Sequence, residues 1–466
     1  MNIPNRRDFL RETIAATAAG WTLVAQGAGA DDGHRPAGGL RLGTFRFDVT
    51  PPMGHSCCGG WIKPVVAVDD PLEALGFVLV GAGKPMVVCA VDWTGLLNEA
   101  HVEWRRALAE AAGTTPDRVA VQCLHQHNAP FACIEAERIV QAQGDLPHMF
   151  DLDFFGECLK RGGKAVAEAI TAARPLTHVA HGQAKVEKVA SNRRVFRDAD
   201  GVVKAMRGSS CRNPELRALP EGLIDPSLKT VAFYEKDKKI AACHYYATHP
   251  MSYYGDGRVS SDFVGLARKQ RQREDPDCLH IYFTGCGGNV AAGKYNDGSK
   301  ETRPILTQRV YEGIVRSEAE LTPVALERVA WKTCDIMPPP RESFSEKSLQ
   351  KQIDNKASSV AGRSRPAFML SLLRRVEKQI PIVLSSLHLN DVRMLHLPSE
   401  SFIQYQLRAQ QIQPSCFVAT AAYGDGGPWY IPVKEEYTKG GYEVGVAFCD
   451  SEIDSLLTTG MKEVLG

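Results

Sequence analysis

Charge of one sign is what this sequence lacks most. Its 55 Lys and Arg residues stand against 54 Asp and Glu, leaving a formal net charge of +1 over 466 residues. Without a basic excess, nucleic acid is not expected as the main partner, and without an acidic run no acidic tail is expected. A neutral or weakly charged small molecule suits this balance better. Long apolar runs are also missing. Spanning a bilayer takes ~20 predominantly apolar residues, no such segment occurs, and no transmembrane segment is expected. None of the 13 cysteines forms a C-x-x-C pair, although Cys57 and Cys58 are adjacent. That excludes a thiolate zinc site or a dithiol redox motif of the usual spacing. No H-E-x-x-H helix and no internal repeat occur, and nothing in the sequence sets an oligomeric state.

What is present begins with an unusual N-terminus. Asn5-Arg6-Arg7-Asp8-Phe9-Leu10-Arg11 has the form of a twin-arginine export signal. A weakly apolar stretch from Ile14 to Val24 follows, then a small-x-small cleavage site at Ala28-Gly29-Ala30. An amphipathic N-terminal helix is the plainer reading, but the paired arginines and the small-residue end favour the signal. Residues 1–30 are therefore expected to direct export, leaving a soluble periplasmic or secreted bacterial protein from Asp31. Twin-arginine export carries folded chains. That suits thiols that are buried and free and a metal loaded beforehand, so no particular disulfide is predicted.

The remainder, in a chain 44% hydrophobic and 23% charged, has globular composition. "LRLGTFRFDVTPP" predicts a strand ending at Pro51, and "ALGFVLVGAGKPMVVCAVDW" a hairpin around Gly81-Ala82-Gly83-Lys84. Helical spacing runs from Glu99 to a Gly stop at Gly113, from Phe154 to Ala173, from Asp262 to Glu274 and from Phe402 to Gln413. Strands are expected in "RVAVQCLH", "LTHVAHGQAKV", "KTVAFYEK", "KIAACHYYATHP", "CLHIYFTG", "IPIVLSSLHLNDVRMLHLPSE" and "CFVATAAY". Strands in hairpins as well as crossovers predict an α/β fold: one large mixed-sheet domain over residues 31–466. A polar, Lys/Ser-rich insertion at about 338–366 is expected as an exposed helix with a mobile end.

Four candidate positions share a setting, each where an apolar strand gives way to a Gly/Pro loop: His125 with His127 after "RVAVQCL", His249 after "ACHYYAT", Asn289 after "IYFTGCGG", and Glu400 after "VRMLHLPS". Rigid sheets position loop residues at such ends, and function in α/β folds collects there. Strand alternation would put His125 and His127 on one face. Two neutral imidazoles and a carboxylate with an open fourth position make a catalytic zinc site. Taken singly, His249 reads equally as a core histidine bonded to backbone, and Glu400 more readily as a solvated loop carboxylate.

The ordered series "FDVTPPMG", "VVCAVDW", "HQHNAP", "SNRRV", "ATHPMS…SSDFVG", "GCGGNV", "LPSESF" and "WYIPVKEEYTKGGYEV" resembles the neutral/alkaline, non-lysosomal ceramidase family. The double-His strand end and the spacing of Tyr430 from Tyr442-Glu443 are its most specific pieces. The resemblance spans roughly residues 40 to 450 and the family's catalytic domain alone; the C-terminal immunoglobulin-like domain is not expected. It implies His125, His249, Glu400 and Tyr430 as Zn²⁺ ligands, with Tyr430 at long range, and His127 as the general acid–base histidine. Arg193 is implied as a substrate contact and Tyr442 as the donor to the developing oxyanion. Ligating atoms of His125, His249 and Glu400 should then lie about 2.0–2.2 Å from one point.

The departures fall elsewhere. Ala291 stands where the family has a serine held to contribute to catalysis, Asn289 where it has aspartate, Asn128-Ala129 where it has Ser-Gly, and Arg194-Val195 where it has Ser-Pro. These changes imply a more polar pocket, and Arg193, Arg194 and Lys294 are candidate contacts for a polar or anionic substrate. As bland loop charges, Arg194 is the best instance. The expected function is an exported zinc-dependent hydrolase cleaving an amide bond of an N-acyl or lipid-like substrate with metal-activated water, with weak or no activity on ceramide. The same apparatus suits an ester or lactone, and a metal-free relative would bind ligand without turnover; the sequence leaves both open.

Overall fold

A computed structural model describes residues 39–466; the export-signal reading of residues 1–30 lies outside them. Three strands start the described chain: β1 (Arg41–Asp48), β2 (Glu73–Val80) and β3 (Met86–Val91). Helix α1 (Glu99–Ala112) crosses to β4 (Val119–Cys123), followed by α2 (Ile134–Gln141) and α3 (Leu152–Thr171). β1, β2 and β3 are antiparallel neighbours, while β4 lies parallel to β3.

The same order then recurs twice. β5 (His178–Lys185), β6 (Ser227–Glu235) and β7 (Lys238–Tyr246) form an antiparallel set, and α4 (Asp262–Glu274) crosses to a parallel β8 (Leu279–Thr284) before α5 (Thr302–Glu318). The third unit begins with β9 (Val329–Ile336) and inserts α6 (Glu346–Ile353) and α7 (Val360–Glu377). It continues with β10 (Ile382–Leu389), β11 (Val392–His396), α8 (Ile403–Ile412), the parallel strand β12 (Phe417–Ala421) and α9 (Ile453–Leu465). A sequence without an internal repeat thus folds as three copies of one topological unit. In each, the last helix packs on the first strand. Two of those strands carry glycine where the helix backbone comes close: a Cβ on Gly43 would sit 2.0 Å from Ala169 O, and one on Gly182 2.3 Å from Ser317 O.

The strands read as apolar runs because both faces are buried. In β3, Val87, Cys89 and Val91 face a helix-side core, while Met86, Val88 and Ala90 face a core shared by all three sheets. Phe77 of the first sheet, Phe233, Tyr245 and Phe283 of the second, and Leu387, Met394 and Ala421 of the third meet in that shared core. The Phe77 and Phe233 ring centroids are 5.0 Å apart. Fully burying each such side chain contributes ~1.5–3 kcal/mol, so the inner faces hold the three sheets in one compact unit.

Expected boundaries shift by a few residues for identifiable reasons. β1 stops at Asp48, whose carboxylate accepts from Thr50 N–H at 2.8 Å. α1 ends one residue early because Gly113 takes a left-handed φ of 64°. α3 starts two residues early because Asp151 caps it, accepting from the Asp153 and Phe154 N–H groups. All 13 cysteines are free, and only Cys416 is not buried. No described helix is long and apolar enough to cross a membrane.

The polar insertion is mostly exposed over α6, where Leu349 and Ile353 alone are buried, and differs from expectation where it runs into α7. α7 buries Arg363, Ser364, Pro366 and Phe368. Arg363 pairs with Asp145 at 2.9 Å, and Ser364 Oγ accepts from Trp61 Nε1 at 2.8 Å. Arg363, Arg374 and Arg375 pair with Asp145, Glu346 and Asp425, so the polar composition conceals a packed helix.

Candidate active site

The parallel strand ends of the three units converge. Gln122 of β4 donates to Leu397 O at 3.0 Å and Ala421 O at 3.1 Å in the third unit. Thr284 Oγ1 of β8 donates to Leu124 O at 2.8 Å, and Cys286 N–H to Gln406 Oε1 at 3.1 Å. These bonds fix the loops beyond the strands, and those loops carry His125, His249 and Glu400.

β4 ends at Cys123, so His125 and His127 do not share a face by strand alternation. His125 instead has φ of 76°, a left-handed turn at a non-glycine residue, and it is this turn that brings the two rings together, 5.2 Å apart. Such strain persists only where the surroundings over-determine it. Here His125 Nδ1 bonds Thr94 O at 2.6 Å, and the ring stacks on Tyr423 with centroids 4.3 Å apart. The carbonyl can only accept, so Nδ1 carries a proton and Nε2 is left to face the site. His249 is held by its N–H to Val290 O at 2.8 Å, with Tyr423 Oη 3.4 Å from its Nδ1. Glu400 and Tyr430 sit side by side in a two-residue parallel ladder.

Glu400 Oε2 lies 3.3 Å from His125 Nε2 and 3.9 Å from His249 Nε2. His125 Nε2, Glu400 Oε2 and His127 Nδ1 are all buried without a hydrogen-bond partner, which is costly for polar atoms in a protein interior. Two ligands of a tetrahedral zinc at ~2.1 Å are about 3.4 Å apart, so the spacing and the unused lone pairs fit a zinc-type ion. His125, His127 and His249 also offer nitrogens within 4.8 Å of one another. A second histidine group contrasts with this one. His244 Nε2 bonds His280 Nδ1 at 2.9 Å, and Lys239 and Arg271 already hold Glu318 at 2.6 Å each. That group is a satisfied structural network.

Burial holds the His127 and His249 imidazoles well below their ordinary pKa, with His125 adding to the effect, so both rings are neutral. Burial and then Glu400 push Tyr430 well above the ordinary phenol range. The Tyr430 hydroxyl receives Arg193 Nη1 at 3.2 Å. Burial opposes the Arg193 charge, but Tyr430 and Glu443 more than restore it. The Arg193 guanidinium lies 5.9 Å from the Tyr430 centroid and 5.8 Å from that of Tyr442. Tyr442 is 47% exposed and Tyr254, packed on His127, is 48% exposed. These two phenols flank the open side.

Several expected pocket residues are elsewhere. Arg194 is neither solvated nor directed at the site: it is fully buried, donating to Glu436 at 2.7 Å, Glu443 at 2.8 Å and Gly440 O at 2.7 Å. Asn289 Oδ1 accepts from Ile403 N–H at 2.8 Å at the start of α8. Asn128 clamps a loop through Asp256, Arg258 O and Gly255 N–H. Lys294 caps the carbonyls of Arg217 and Leu219. The inference of a more polar pocket from Asn128, Arg194 and Asn289 therefore fails, because all three have structural partners. Ala291 is buried beside His249 through a backbone bridge.

No family model and no curated protein matches the sequence. Among solved structures, it is similar to the neutral ceramidase from Pseudomonas aeruginosa, with a TM-score of 0.66 at 14% identity, covering 92% of this chain and 74% of that one. It is likewise similar to a ceramidase complexed with C2, with a TM-score of 0.67 at 13% identity, covering 92% and 75%. The chain has the neutral ceramidase fold.

Within this ceramidase fold, sequence reasoning missed Tyr423 and Thr94, and it gave Glu443 no role. Tyr423 follows β12 in "AAYGDGG", the same apolar-strand-to-glycine pattern that marked the other sites, so its signal was present. Thr94 acts through its backbone carbonyl, which no side-chain pattern reveals. A cavity of about 630 Å³ lies elsewhere, lined by Glu99, Glu135, Arg138 and Arg374. Its charges pair with each other, as Arg138 does with Glu99 at 3.2 Å, leaving no reactive group.

Proposed function

We propose that this protein is an exported, zinc-dependent hydrolase that cleaves an amide bond of an N-acyl, lipid-like substrate. The observation that carries this reading is the approach of His125 Nε2 and His249 Nε2 to Glu400 Oε2, at 3.3 and 3.9 Å, with His125 Nε2 and Glu400 Oε2 buried and lacking hydrogen-bond partners. Those three residues would hold zinc, with Tyr430, beside Glu400 in the same ladder, as a ligand at longer range. Bound there, zinc supplies Lewis acidity and lowers the pKa of water towards ~7. His127, neutral and with Nδ1 unused, accepts a proton from the attacking water and returns it to the leaving amine. Tyr442, whose phenol burial and Glu400 push up, keeps its proton and donates to the carbonyl oxygen as charge develops. Arg193 lies beneath both tyrosines and positions them.

The amide preference is supported by the similarity to ceramidase structures. Ala291 offers no hydroxyl, and losing one transition-state donor costs ~10²–10³ in rate, so weak ceramide cleavage is expected. Metal analysis of protein purified without added metal tests the reading, together with assays on ceramide, N-acyl amino acids and N-acyl sugars. About one zinc per chain and chelator-sensitive amide cleavage are expected. A metal-free protein whose behaviour zinc does not alter would defeat it.

A further inference from the structure

α7 brings one arginine to the rim of the site without a counter-ion. The residues before Arg365 are pinned. Arg363 donates to Ile353 O at 2.7 Å and pairs with Asp145, and Ser364 receives the Trp61 indole. One turn on, Phe368 packs against Trp61, Phe131 and Trp429, with centroids 5.7, 5.4 and 5.2 Å apart. The Arg365 guanidinium therefore stands on a rigid aromatic base, 5.3 Å from the Trp61 centroid. Trp61 packs on Trp429, the chain neighbour of Tyr430, with centroids 5.5 Å apart. Trp61 also packs on Phe131, with centroids 6.3 Å apart. Phe131 and Trp429 line a cavity against His125 and Glu400, so Arg365 stands one aromatic layer from the site.

The other arginines of this helix each have a carboxylate: Arg363 has Asp145, Arg374 has Glu346 at 2.7 Å, and Arg375 has Asp425. Among the described residues, none pairs with Arg365, and its Nε is buried without a hydrogen-bond partner. A partly buried guanidinium keeps its charge and presents a planar fork that matches a carboxylate. Stacking on tryptophan offsets part of its desolvation without using its N–H groups.

We propose that Arg365 binds a carboxylate on the substrate, so that the preferred N-acyl compound carries an acidic head group, as in an N-acyl amino acid. The proposal rests on the amide-hydrolase reading for its chemistry but not for its recognition. A charge-assisted pair of this kind is worth ~1.5–3 kcal/mol, or about 10- to 100-fold.

The test compares N-lauroylglycine with N-lauroylethanolamine, which share the chain and amide but differ in head-group charge. For Arg365→Ala, kcat/KM on N-lauroylglycine should fall about 10- to 100-fold, mainly through KM, and remain nearly unchanged on N-lauroylethanolamine. Arg365→Lys should retain part of the preference and controls for folding. Calorimetric binding of both compounds is measured in parallel. Selective loss of N-lauroylglycine binding in a protein that turns over neither compound would support Arg365 while defeating the hydrolase reading. Equal effects of Arg365→Ala on both compounds, or none on either, would overturn the proposal.

Discussion

Glu400→Gln separates the metal reading from a merely structural one. In the protein, Glu400 is 7% exposed, and its Oε2, which has no hydrogen-bond partner, lies 3.3 Å from His125 Nε2. With His125 neutral, the two atoms are facing acceptors that forgo hydrogen bonds worth ~1–3 kcal/mol. Glutamine keeps the volume, and its amide N–H can donate to His125 Nε2. Metal-free Glu400→Gln should therefore be about 1–3 kcal/mol more stable than the unaltered protein. Zinc reverses the order. At 1,000 times its Kd a ligand stabilises the folded state by about 4.1 kcal/mol, and a neutral amide is a poor substitute for a carboxylate ligand. Urea unfolding followed by tryptophan fluorescence, with chelator and then with zinc, reads both effects. If the variant is less stable in chelator, or gains as much from zinc as the unaltered protein, the three-residue metal site is refuted.

Three further outcomes are expected. Arg194→Met leaves Glu443, which is fully buried, short of its main partner and should cost ~3–5 kcal/mol. It should lower the urea midpoint at unchanged slope, and Glu443→Leu in the same chain should recover part of the loss. Burial pushes His101, His280 and His388 down to about 4 and His244 and His396 to about 3. The unfolded chain, with histidines near 6.5, binds more protons below that pH. Stability is thus complete above about pH 6.5 and falls as pH drops towards 4, and a urea midpoint that rises on acidification would contradict this. Replacing Arg6 and Arg7 with lysine should hold precursor in the cytoplasm, and unchanged mature protein beginning near Asp31 would refute twin-arginine export.

Much of the site was legible because its residues stand at strand ends with distinctive punctuation. His125, His249 and Glu400 each stand where an apolar run gives way to a loop that contains Pro, and the fold brings all three together. Tyr423 carries the same signal. The polar neighbours were not legible in this way. Asn289, Arg194 and Lys294 lie in the same loops, yet one caps a helix, one is locked between two glutamates, and one satisfies carbonyls. A polar side chain's role depends on its partners, and those partners lie up to 249 residues away.

By itself, the sequence determined the elements: alternation and apolar runs specify strands, 3.6-residue spacing and capping residues specify helices, and both are local properties. It also determined which residue types could serve the chemistry. Only the tertiary structure decided that three unlike segments adopt one βββαβα unit, because nearly any apolar side chains of suitable volume can fill the same layers, and the repeat resides in topology rather than identity. Packing alone set the left-handed turn at His125, the orientation of its ring by the Thr94 carbonyl, and the burial of α7 under a polar sequence. The same packing leaves Arg365 unpaired where Arg363 and Arg375 are paired, because each charge finds a partner, or fails to, only when distant segments meet.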